Sequence, residues 1–167
     1  MPRILLPIDG SGHALDAVRH LLLLRDQGWP VDEAVLLNVQ DPPHLYEVVL
    51  APDADTIREA SEAAGLHALQ AAGELLDAAG VPHRGLVVVG DVAPQVIDQA
   101  DLEGCDLVIL AGPGADEQRA LWHDSVAQEV VRHARVPVMV VPHPDMAEAI
   151  EDGDDGETEA APEPDAA

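Results

Sequence analysis

Gly112, Gly114 and Ser125 are the residues of this 167-residue chain best spaced to do chemistry. They lie in the stretch DLVILAGPGADEQRALWHDSVAQEVVRHARVPVMVV, residues 106–141. Leu107 to Ala111 form a continuous apolar run, the pattern of a strand covered on both faces. The two glycines follow its carboxyl end, where an open parallel sheet presents its ligand crevice. Ser125 then stands at a helix start, and the free N–H groups of such a start can receive an anion. The chemistry implied is capture of a phosphate or nucleotide. Asp116, Glu117 and Asp124 share the loop and oppose an anion there, with Arg119 as its one cation.

Other constellations carry less. Asp9 and Ser11 follow the first apolar run, and their side chains can cap the next helix. His13 and His20 could share a helix face, but no carboxylate set surrounds them and they read as surface residues. His123, Asp124 and Ser125 include the residue types of a hydrolytic triad, yet adjacent positions cannot meet triad geometry. His44 and Tyr46 stand in a proline-bearing segment where loop polarity explains them equally well. The GxG at Gly112 is no dinucleotide fingerprint, which belongs after the first strand and includes a third glycine. Flavin binding is disfavoured because only Trp29, Trp122 and Tyr46 could stack on the ring.

Composition narrows the field further. Hydrophobic residues make up 47% and aromatics 2%, with no Phe, so the core must be built from Val, Leu, Ile and Ala. The formal net charge is −24, and all eight basic residues are Arg. Without lysine there is no P-loop lysine and no Schiff base. Such an acidic surface opposes nucleic acid and anionic membranes. Cys105 is the sole cysteine, which excludes an intrachain disulfide and a multi-cysteine zinc site. Its place before a buried strand predicts a packed thiol. No metal ligand set is expected. No signal peptide and no apolar run of the ~18 residues a membrane span needs is visible, so the expected location is the cytoplasm.

The elements that must position these residues alternate. Arg3 to Ile8 read as the first strand, and Ser11 caps a helix to about Gln27 with Leu15, Val18 and Leu22 on one face. Ala34 to Val39 form a second strand, and residues 41–54, with three prolines, a long loop. A long helix from Asp55 to about Ala79 sets Leu66, Leu69, Gly73 and Leu76 at helical spacing. Leu86 to Val89 make a third strand, and Asp91 caps a short helix through Glu103. The strand at 107–111, a helix from Ser125, and a fifth strand from Pro137 to Val141 complete the pattern. Five strands with intervening helices imply an α/β fold with one doubly wound parallel sheet.

One ordered domain is expected over residues 1–144, followed by an acidic disordered tail over 145–167. Residues 151–167 alone hold eight carboxylates and no base, too little apolar surface to offset ordering entropy. Without them 24 acids still face eight arginines, so the domain itself is acidic. A solvated, self-repelling surface explains that charge, and a high-salt cytoplasm would also suit it.

The region from Pro2 to Val141 resembles the universal stress protein family. The segments ILLPIDGS (4–11), LLNVQ (36–40), GDVAPQVIDQA (90–100) and the SVAQEVVRHARVPVMVV ending carry the resemblance through their order and spacing. It implies an adenine nucleotide alpha hydrolase-like sheet in the order 3-2-1-4-5, with Asp9 facing the loop after Ala111. It also implies a nucleotide site in which Asp9 contacts the adenosine part and backbone groups near Asn38 and Val39 contact adenine. Gly112, Gly114, Ser125 and Val126 would then surround the phosphates.

Members that bind ATP carry G-x2-G-x9-G-[S/T], whereas here Gly112-x-Gly114 is followed by nine residues and Asp124-Ser125. The shorter gap changes the loop's curvature, and Asp124 adds a Cβ and a negative charge beside a polyphosphate. Like charges at ~4 Å oppose each other by on the order of 4 kcal/mol at an effective dielectric of about 20, before screening. The expected function is therefore a dimeric stress-response binding or regulatory module with a degenerate nucleotide site, not an enzyme. The alternative is a competent ATP or AMP binder with at most slow hydrolysis. Dimerisation is expected through the apolar fifth strand, Val136 to Val141, an edge in the implied order.

Overall fold

The computed structural model describes residues 2–42, 54–112 and 126–142. Five strands, β1 (Arg3–Pro7), β2 (Glu33–Gln40), β3 (His83–Val89), β4 (Leu107–Ala111) and β5 (Val138–Val141), form one sheet. Their order is β3-β2-β1-β4-β5, and every pairing is parallel. Among the described residues four helices accompany them: α1 (Ala14–Asp26), α2 (Ala54–Ala78), α3 (Val92–Leu102) and α4 (Val126–His133). The doubly wound α/β sheet in the order 3-2-1-4-5 is thus the observed architecture.

Alternation along the strands builds two cores. Ile4, Leu6, Leu36 and Ile109 pack with Ala17, Val18 and Leu21 of α1 and with Leu69, Ala72 and Leu76 of α2. Leu5, Val35, Leu37, Val108 and Leu110 pack on the other face with Val96 and Ala100 of α3 and Val130 of α4. Both layers are aliphatic, as a chain without Phe requires.

Several local expectations are corrected. Leu66 is 52% exposed, because the buried stripe of α2 runs through Leu69, Ala72 and Leu76. On α1 the fully buried positions are Ala17, Val18 and Leu21, with Leu15 and Leu22 only flanking them. Ser11 does cap, its Oγ accepting from the Ala14 N–H at 3.2 Å. Asp91 is the residue before α3, but its side chain makes no capping hydrogen bond. β3 begins three residues before the expected start because His83, Arg84 and Gly85 join the ladder opposite Ala34, Val35 and Leu36. His44, Tyr46, Trp122 and the acidic tail lie outside the described residues.

The amino ends of the strands are tied by charge. The Arg3 guanidinium meets Glu33 at 2.7 Å, and Arg84 bridges Glu33 at 3.3 Å and also pairs with Glu103. The Glu103 hydrogen bond raises the Arg84 pKa above its ordinary value. The Arg3 N–H donates to Asp106 at 2.9 Å. Beside this network Cys105 is buried, and desolvation pushes its thiol up to about 11, against the opposing pull of Arg3. This end of the sheet holds the strands together and leaves the opposite end for a ligand.

Candidate functional site

At the carboxyl ends of β1, β2 and β4 the strands stop at different heights. β1 ends with Pro7 opposite Leu37, while β2 continues to Gln40. The Ile8 N–H still donates to the Leu37 carbonyl at 2.8 Å, after which the chain turns away. Successive residues of a strand aim their N–H and C=O to opposite neighbours. Leu37 faces β1, whereas the Gln40 carbonyl accepts from the Gly90 N–H on the β3 side, at 3.0 Å. Val39 therefore directs its N–H and C=O toward the β1 side, beyond the point where β1 has ended. A donor and an acceptor stand there side by side, the pair that an adenine edge can meet.

Asn38, 2% exposed, supports this wall from inside. Its Nδ2 donates to the Ile8 carbonyl at 2.7 Å, holding the end of β1 against β2. Its Oδ1 accepts from Gln40 Nε2. The side chain is thus occupied structurally. As α2 passes close by, the missing side chain of Gly65 leaves room for it: a Cβ there would lie 3.0 Å from Asn38 Oδ1 and 2.4 Å from Val87 Cγ1.

Asp9 lies exposed in the turn between β1 and α1. Its Oδ1 accepts from the Ser11 N–H at 2.8 Å, so one carboxylate oxygen shapes the turn. Gly10 follows at φ +88°, a conformation suited to glycine, and a Cβ there would come within 3.1 Å of the Ala68 Cβ. Beside it, His67, Gln70 and Glu74 of α2 border a shallow concavity of about 280 Å³.

Across the switch point between β1 and β4, Gly112 is buried and its N–H donates to the Val141 carbonyl at 2.6 Å. It extends the β4–β5 ladder by one residue, and a Cβ would lie 3.0 Å from that carbonyl. This N–H is taken up by the sheet, and a phosphate would have to find its donors elsewhere. Val126 opens α4 and is exposed. Gly114, Asp116, Glu117, Arg119, Asp124 and Ser125 lie outside the described residues. Asp9, Asn38, Val39 and Gly112 are therefore gathered at the carboxyl end of the sheet. Sequence reasoning missed Gly65 and Gln40, whose only signals were a glycine inside a helix and an amide at a strand's end.

The universal stress protein family model matches residues 1–142. The chain belongs to that family. Universal stress protein MJ0531 of Methanocaldococcus jannaschii is 24% identical over 142 residues, which span 85% of this chain and 82% of that protein. Among solved structures, protein MJ0577 matches with a TM-score of 0.68 at 22% identity, covering 86% of this chain and 96% of its own. A universal stress protein family member from Arabidopsis thaliana, solved with AMP bound, matches with a TM-score of 0.63 at 19% identity, over 93% of this chain and 97% of its own. These structural likenesses establish the shared fold. Among the described residues of this universal stress protein, no helix is long and apolar enough to cross a membrane.

Proposed function

We propose that this universal stress protein is a cytoplasmic, dimeric binding and regulatory module of the stress response, not a turnover enzyme. Its crevice takes the adenosine part of a ligand and holds a triphosphate poorly. The observation that carries this reading is the contrast between two backbone positions. Val39 directs a donor and an acceptor past the end of β1, while the Gly112 N–H is committed to Val141. The shortened Gly112-x-Gly114 spacing and Asp124 in place of a third glycine support the second half. The AMP-bound relative supports the ligand class. AMP or an adenosine-type ligand suits such a crevice better than ATP, because the sequence after Gly112 carries Asp116, Glu117 and Asp124, carboxylates that oppose additional negative charge.

The assembly follows from β5. It is an edge of the sheet with half-buried Val138 and Met139 and exposed Val140, and Pro137 guards only its beginning. A second copy pairing there about a two-fold axis would satisfy the open edge with an isologous interface. The proposed division is a domain over residues 1–144 and an acidic tail over 145–167. Calorimetric titration with AMP and with ATP plus magnesium tests the ligand reading. Tight ATP binding would select the alternative, a competent ATP site with slow hydrolysis.

A further inference from the structure

The two side-chain amides at the end of β2, Asn38 and Gln40, and the Ile8 backbone carbonyl just past β1 form a chain of hydrogen bonds whose direction is not free. The Ile8 carbonyl can only accept, so the Asn38 group 2.7 Å from it must be the Nδ2 donor. That orientation leaves Asn38 Oδ1, an acceptor, to face Gln40. Gln40 must answer with its own donor, Nε2. Its Oε1 is then left as an acceptor with no partner among the described residues. Burial of Asn38 and the close passage of Gly65 against its Oδ1 prevent the relay from turning over. Gln40 itself is half-buried, the last residue of β2, one position beyond the open backbone of Val39.

We infer that Gln40 is a specificity-determining residue of the crevice, whose side-chain carbonyl, fixed by Asn38, accepts from the exocyclic amino group of a 6-aminopurine and disfavours a 6-oxopurine. This rests on the reading of the crevice as an adenine-type site and adds to it a reader with a defined polarity. A free glutamine could rotate its amide to suit either purine. Here rotation would set two carbonyl oxygens against each other, Asn38 Oδ1 and Gln40 Oε1, and leave a buried acceptor unpaired. The relay thus turns an adaptable side chain into a one-way acceptor.

The experiment is calorimetric titration of the full chain and its Gln40→Ala variant with AMP and with inosine monophosphate, which differ in the group at the purine 6-position. Thermal melting confirms that the variant folds. The expected result is that Gln40→Ala lowers the AMP-to-inosine-monophosphate affinity ratio about tenfold, a hydrogen bond's worth, chiefly by weakening AMP. Gln40→Met, which keeps length and removes polarity, should give the same loss of ratio. Unchanged ratios in both variants, with AMP still bound by the parent chain, would overturn the inference and leave the ligand reading standing. A parent chain that binds neither nucleotide would overturn both.

Discussion

At the scale of single residues, the site is made as much by what glycine omits as by what side chains offer. Gly65 is the sharpest case. In a helix interior Ala is normally the better residue by about 0.5–1 kcal/mol. At this position a Cβ would sit 2.4 Å and 2.7 Å from the two γ-methyls of Val87, a side chain with little χ1 freedom. Gly65→Ala should therefore destabilise the fold by about 1–2 kcal/mol net, since overpacking of a tight contact outweighs the propensity gain. Thermal melting checks this, and a variant as stable as the parent would show that α2 has room to move. Residue types could be read for Asp9 and Ser11, whose turn and cap are the roles their side chains favour. The backbone direction of Val39 is not legible as a side-chain property, because it depends on where a neighbouring strand ends. Gly112 looked like a loop glycine, and only its pairing with Val141 revealed a ladder position.

At the scale of elements, continuous apolar runs announced themselves. β4 covers Leu107–Ala111, the run visible in the sequence, because a strand buried on both faces needs every residue apolar. β3 starts before its apolar run because His83 and Arg84 are polar and find partners at the sheet's rim. Leu66 lies outside the buried stripe of α2, because helical spacing identifies a stripe but not how wide the covering sheet is. β5 carries the prediction at this scale. Val140 is 40% exposed on an unpaired edge, so Val140→Asp or Met139→Arg should turn a dimer into a monomer in light scattering. A folded variant that stays fully dimeric would put the interface elsewhere, and a parent chain that is monomeric at high concentration would remove it.

At the scale of the whole molecule, electrostatics dominates behaviour without deciding the fold. Arg3, Arg19, Arg58, Arg84 and Arg135 each pair with carboxylates, leaving a large excess of acid. A chain of net charge −24 repels itself, and salt screens that repulsion. The melting temperature should rise as salt is added from a low-salt buffer. Deleting residues 151–167 removes eight carboxylates and should preserve stability while reducing that rise. A large drop in melting temperature on truncation would mean that the tail docks on the domain.

The proposed crevice has two ends, the backbone of Val39 beyond the end of β1 and the Gly112 N–H committed to Val141. Calorimetry on the full chain with AMP and with ATP plus magnesium, side by side, addresses both ends at once. AMP should bind more tightly than ATP, with an ATP dissociation constant weaker than about 10 µM, or roughly −7 kcal/mol. An ATP dissociation constant at or below about 10 µM would contradict it.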